Sequence, residues 1–154
     1  MLYNAFKYAV AIFFNLLNRL MFGNLPPFGS ACVIVEEQGR FLVLQRPEGQ
    51  TVFPGGLMRW GEVVEETARR EGKEETGLDL RIEHMISYRS TPAVDLVHMS
   101  ALTLFFYARV VGGELRSSIE GKPCWLDEMT LRDSLPEYYQ QAFADYLQFR
   151  NQGM

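Results

Sequence analysis

The chain has 154 residues, long enough for one domain with a proper core, and its 47% hydrophobic and 22% charged composition is that of an ordinary globular protein. A formal net charge of -4 offers no basic field for a nucleic-acid duplex, so a phosphate-bearing partner should be small and met chiefly through bound cations. Cys32 and Cys124 lie far apart with no metal-ligand spacing, which fits small core residues in a reduced cytoplasmic protein.

In chain order, residues 1–22 come first. Asn4, Lys7, Asn15 and Asn18 fall on one narrow helical stripe, and Phe6, Val10, Ile12, Phe13, Phe14, Leu16, Leu17, Leu20 and Phe22 make a wide apolar surface. The segment is an amphipathic helix, and Gly23 to Gly29 with Pro26-Pro27 is its linker, so residues 1–28 stand apart from a domain over 29–154. Asn15, Asn18 and Arg19 interrupt it, which disfavours a membrane span, and a thin basic start with no small-residue cleavage site disfavours a signal peptide. Two roles are favoured over these: packing on its own domain or a homodimer partner, and attachment to a membrane surface, since the segment that carries Lys7 and Arg19 contains no acid.

Ala31–Glu36 and Arg40–Gln45 are apolar, β-branched-rich runs around Glu37-Gln38-Gly39 and predict a hairpin. Val52-Phe53 leads into Pro54-Gly55-Gly56, a turn whose missing side chains let backbone approach a ligand. From about Glu62 to Thr76 the chain is proline-free and rich in helix formers, and Gly77 is placed to stop the helix. Gly72, with Val64 and Ala68, completes a stripe of modest side chains that lets this helix lie close to the sheet or to an aromatic such as Phe53. Leu80–Tyr88 and Ser100–Val111 read as strands joined by a loop holding Thr91-Pro92. Ser134 to Glu137 reads as a capping box opening a last helix with Tyr139, Ala142, Phe143, Tyr146 and Leu147 on one face. The result is an α/β protein, a mixed sheet with helices on both sides. His84 and His98 have no histidine partner at helical spacing and read as structural or surface residues. Trp60 and Trp125 read as core or interface residues, with stacking on a base as the alternative.

The chemistry is concentrated in Gly56-Leu57-Met58-Arg59-Trp60-Gly61-Glu62, seven further residues, then Arg70-Glu71-Gly72-Lys73-Glu74-Glu75-Thr76-Gly77-Leu78. On a helix, Glu71, Glu74 and Glu75 share one face, and three like charges so close call for a hard divalent cation such as Mg2+ or Mn2+. The pattern G-x5-E-x7-R-E-U-x-E-E-x-G-U, with U a bulky apolar residue, resembles the signature of the Nudix hydrolases, and Gly72 is its one departure.

The resemblance implies an α/β/α sandwich over about residues 29 to 150. It also implies metal ligation by the Gly55 carbonyl and by Glu71, Glu74 and Glu75, with Arg70 and Glu62 orienting the cluster. Glu120, on a loop before the Trp125 strand, is similar to the glutamate that closes over the metal in MutT-like members, with Glu114 and Glu128 as nearby competitors. The implied reaction is hydrolysis of a pyrophosphate bond in a nucleoside diphosphate linked to another group. Glu71 or Glu120 is the expected general base, ahead of Glu62 and Glu75, and Arg46, Phe53 and Gly56 are the candidate substrate contacts. Pro92 stands where some ADP-ribose hydrolases of the family carry a proline, whereas Phe53 and the Glu120-Gly-x-Pro stretch lean toward MutT-like nucleoside triphosphate cleansing. Two other readings stay open: a nucleotide-binding module without turnover, and a hydrolase of a non-nucleotide diphosphate.

Overall fold

The computed structural model describes residues 2–153, with side chains from Ala5 onward, so the expected role of Asn4 lies outside the described residues. After helix α1 (Leu2–Leu20) come strands β1 (Phe28–Glu37), β2 (Arg40–Gln45), β3 (Thr51–Val52) and β4 (Gly55–Leu57) and helix α2 (Val64–Thr76). Strands β5 (Leu78–Thr91), β6 (Ala101–Gly113) and β7 (Lys122–Asp127) and helices α3 (Glu128–Ser134) and α4 (Glu137–Asn151) complete the chain.

The strands join in the order β3-β2-β1-β6-β5, with β4 added to β1 and β7 to β2. β1 and β6 run parallel while β5 and β6 run antiparallel, so the sheet is mixed as expected. The β1–β2 turn is tighter than the sequence suggests. Gln38 and Gly39 alone make it, with φ of 52° and 75°, the left-handed pair that matches strand twist in a two-residue hairpin.

Alternation along β1 divides the core into two layers. Ala31, Val33 and Val35 face α2 with Ala68, Leu80 and Phe106, whereas Cys32 and Ile34 face α3 and α4 with Phe53, Phe143 and Tyr146. Ala142, Phe143, Tyr146 and Leu147 of α4 are buried as their spacing predicts. Cys32 is buried and Cys124 half-buried, in keeping with packing roles.

Three local expectations need correction. Helix α2 begins at Val64, because Gly61 is left-handed (φ 83°) and Glu62 turns its side chain back toward the Arg59 amide. Ser134 does not open the last helix. The residue before a proline is driven out of the α region, and Leu135 is accordingly extended (ψ 130°), so α4 starts only after Pro136 and Ser134 instead donates to the Leu131 carbonyl at the end of α3. The interior glycine of α2 does meet the sheet, but its neighbour is Leu80: a Cβ at Gly72 would collide with Leu80 Cδ1 and stand 3.3 Å from its Cγ. Phe53 lies on the opposite face of the sheet.

Helix α1 packs on the domain with the polarity opposite to that of a core helix. The amide of Asn15 donates to the carbonyls of Asp95, Leu96 and His98 at 3.2, 3.0 and 3.1 Å, and Asn18 accepts from the Leu25 amide. Phe14 meets Phe28 edge-on at 4.8 Å, while Phe6, Phe13, Leu16 and Leu20 face outward. Among the described residues no helix is long and apolar enough to cross a membrane.

Candidate active site

The site is built where β4 meets α2. Strand β4 pairs with β1 so closely that a Cβ at Gly55 would strike the Ala31 carbonyl and lie 2.6 Å from Cys32 Sγ. At Gly56 the obstacle is different. A Cβ there would stand 2.5 Å from the carboxyl carbon of Glu71, so the bare glycine is what lets that carboxylate rest on the turn.

Arg70 organises the start of the helix. Its Nε and Nη2 grip both oxygens of Glu62 at 2.5 and 2.9 Å, Nη1 reaches Glu71 at 2.6 Å, and Nη2 also donates to the Leu57 carbonyl. Glu62 further accepts from the Arg59 amide at 2.9 Å and the Thr67 hydroxyl at 2.8 Å. The Arg70 fork, followed by the Arg59 amide, holds the Glu62 carboxyl down at about 2. Every strong donor near Glu62 is already spent on it, which makes it a positioning residue, a poor proton acceptor.

The three carboxylates that sequence places on one face are separated by depth. Glu74 is exposed and held through both oxygens by Arg59 at 3.0 Å. Glu71 is nearly buried beside Arg70. Glu75 is 2% exposed; its Oε2 accepts from the Gly55 amide at 2.7 Å, and its Oε1 is buried with no hydrogen-bond partner among the described residues. Loss of water pushes the Glu75 carboxyl up to about 8 against the pull of the Gly55 amide, and the charges of Glu120 and Glu71 push the same way. The same burial, helped by Glu75, raises the neighbouring Cys32 thiol to about 12, so this cysteine is inert.

Glu120 is near enough to Glu75 for its charge to raise the Glu75 carboxyl. It faces Arg46 at 3.7 Å across a cavity of about 220 Å³ that Pro47, Glu48 and Ile119 also line. Arg46 Nε is buried without a partner among the described residues. The competitors are engaged elsewhere, Glu128 with Arg132 and Arg150 and Glu114 with Arg116. Phe53 is a core residue, 1% exposed against Tyr139 and Phe143, so it offers no surface to a substrate. Trp60 is fully exposed, contrary to a core role, and Trp125 is half-buried against the α2 side of the core. His98 pairs with Asp95 on the surface and His84 meets the Phe149 ring at a tilt, 5.3 Å between centroids.

Sequence reasoning missed Arg59 and Thr67. Both lie in the variable gaps of the pattern: Thr67 enters through Glu62, and Arg59 through its amide on Glu62 and its guanidinium on Glu74.

The residues fit a hard divalent cation. Glu75 presents a buried oxygen with no donor, two further carboxylates raise its proton affinity, and all the atoms on offer are oxygens. Among the described residues no three acidic, histidine or cysteine side chains already converge on one point, because Arg70, Arg59 and Arg46 serve as the counter-charges of Glu71, Glu74 and Glu120.

An α/β/α sandwich that carries a carboxylate-lined helix against a diglycine turn is the architecture of a Nudix-type hydrolase. The chain belongs to that family: the NUDIX domain matches residues 26–146. It is 29% identical over 122 residues to an ADP-ribose pyrophosphatase of Methanocaldococcus jannaschii, covering 77% of this chain and 72% of that one. It is 30% identical over 128 residues to a MutT-like protein of Streptomyces ambofaciens, covering 79% of each. A solved NUDIX hydrolase from Nitrosomonas europaea superposes with a TM-score of 0.73 at 21% identity, over 84% of this chain and 75% of that chain. The protein is therefore an enzyme, and the reading of a binding module without turnover falls away.

Proposed function

We propose that the domain over residues 29–154 hydrolyses the pyrophosphate bond of a small nucleoside diphosphate linked to another group, of the ADP-ribose or nucleotide-sugar kind, using Mg2+ or Mn2+. The orphaned Oε1 of buried Glu75 is the observation that carries this reading. A divalent cation, when bound, supplies neutralisation of the phosphate oxygens and acidification of water. Glu71, Glu75 and Glu120 are the side chains to hold it, with the Gly55 carbonyl as a backbone ligand and Glu74 at the exposed edge. Glu62 and Arg70 keep Glu71 in place over Gly56.

Glu120 is the better base of the two expected. It is 41% exposed and meets Arg46 only loosely, whereas Glu71 is 12% exposed and clamped by Arg70. Arg46, whose Nε has no other partner among the described residues, turns from Glu120 to a phosphate oxygen when substrate enters. The ADP-ribose pyrophosphatase relative favours a nucleoside diphosphate joined to a sugar over a triphosphate, and with Phe53 buried one of the two leans toward triphosphates is gone.

The test is phosphate and nucleotide release from ADP-ribose, UDP-sugars, nucleoside triphosphates and isoprenoid diphosphates, each with Mg2+ or Mn2+, for the parent and Glu120→Gln. Turnover of ADP-ribose or a UDP-sugar with kcat lowered by about 100-fold or more in the variant is expected. Preference for triphosphates or isoprenoid diphosphates, or full activity of the variant, refutes the assignment.

A further inference from the structure

Helix α1 holds its place through its polar stripe and leaves its apolar stripe uncovered. Asn15 spends its amide on three carbonyls of the 95–98 loop and Asn18 holds the linker at Leu25, so the groups that would otherwise face water face the domain. Phe6, Ile12, Phe13, Leu16 and Leu20 fall together on the far side at helical spacing, and Phe6, Phe13, Leu16 and Leu20 are each more than half exposed. Phe22, just past the end of the helix, is 92% exposed. A contiguous apolar surface of this kind is more than a monomer in water normally leaves open.

Charge identifies what covers it. Lys7 and Arg19 are the only charged side chains before Glu36, although the whole chain is at -4. Arg19 is exposed at the border of the apolar stripe. Asp95, which lines the same shallow cleft, is engaged by the His98 ring and by the amides of Val97 and His98. A second copy of this helix brings the same apolar face and a second Arg19 at its border, so like charge would meet like. A lipid surface with anionic headgroups brings both an apolar layer and a negative charge for Arg19. Exposed Tyr8 is suited to the boundary between them. With no helix among the described residues able to cross a bilayer, and 19 residues spanning about 28 Å, the helix lies in the plane.

We infer that the outward face of α1, centred on Phe6, Phe13, Leu16 and Leu20 and bordered by Arg19, docks this enzyme on an anionic membrane surface. The inference does not rest on the choice of substrate. It is tested with the full chain by flotation with phosphatidylcholine vesicles, with and without a phosphatidylglycerol fraction. The parent should float with the anionic vesicles. The Phe13→Asp/Leu16→Asp double variant should bind them roughly 100-fold less or worse, since two apolar burials are lost. Arg19→Glu should lose roughly ten-fold on anionic vesicles and little on neutral ones. Both replace exposed side chains, so circular dichroism and melting should match the parent. Equal flotation of parent and double variant overturns the proposal. So does a parent that stays with the soluble fraction and runs as a dimer in light scattering, with the double variant monomeric; that result would make the face a contact between copies.

Discussion

Glu75 gives the sharpest test because its two roles pull apart. In the fold its carboxyl is pushed up from 4.5 to about 8 by burial, so between those values the folded protein binds a proton that the unfolded chain releases. Stability from this group is therefore complete below pH 4.5, falls as pH rises, and levels off above about 8. At pH 7 the folded protein still holds that proton while the unfolded chain has released it, which lowers stability by about 3 kcal/mol. Glu75→Gln removes the charge and keeps an oxygen for the Gly55 amide, so the variant escapes that cost. In chelator at pH 7 to 8 it should melt higher than the parent by roughly 6 to 12 °C, and the gap should close toward pH 5. Mg2+ should stabilise the parent and leave the variant nearly unmoved, while the variant's hydrolytic activity disappears. The measurement is a series of thermal melts from pH 5 to 9, with chelator or Mg2+. Parallel pH profiles for parent and variant, or a variant that melts lower at pH 8, would refute the reasoning.

Gly56→Ala sets a methyl 2.5 Å from the Glu71 carboxyl carbon, so kcat should fall by about 100-fold while the melting temperature changes little by comparison; unchanged turnover would mean that Glu71 need not sit over the turn. Arg70→Lys keeps the charge and loses the fork on Glu62, so urea unfolding should show a loss of about 2 kcal/mol, and the Glu62 carboxyl should titrate well above 2 by NMR. Gly72→Ala sets a helix-propensity gain of about 1 kcal/mol against a collision with Leu80 costing about 1 to 3 kcal/mol, for a net loss that Leu80→Val should relieve. A Gly72→Ala variant more stable than the parent would refute that balance.

Much of this site is legible in the residues because its constraints are local. The Gly77 stop, the bare Gly56 and the run of glutamates are set by one helix and one turn, and spacing alone places them. What spacing cannot show is depth. Glu74 and Glu75 are neighbours in sequence, yet one is exposed and the other is 2% exposed, because the helix lies on β4 with only part of the glutamate face inward. Phe53 was an appealing substrate contact from its place beside the turn, but strand alternation sends it to the layer under α4. Helix α3 escaped notice because seven residues carry little periodicity; its signal was Asp127, which caps Thr130 through both the amide and the hydroxyl. For α1 the pattern gave an amphipathic helix, and only long-range bonds from Asn15 reveal which stripe faces the domain.

Glu62 and Glu75 carry the same carboxyl group and lie within reach of the same helix, yet their environments drive them in opposite directions. Glu62 receives two guanidinium bonds, a backbone amide and a hydroxyl, and stays ionised at any pH the protein meets. Glu75 receives one amide, loses its water, and shares its surroundings with two other acids. The first arrangement stabilises the fold and fixes Arg70, and through Arg70 fixes Glu71. The second destabilises the ionised fold by an amount that a divalent cation would recover on binding. Removing Glu62 should therefore lower stability and activity together, whereas removing the charge of Glu75 should raise one and abolish the other. That opposition in sign separates the group that positions from the group that binds.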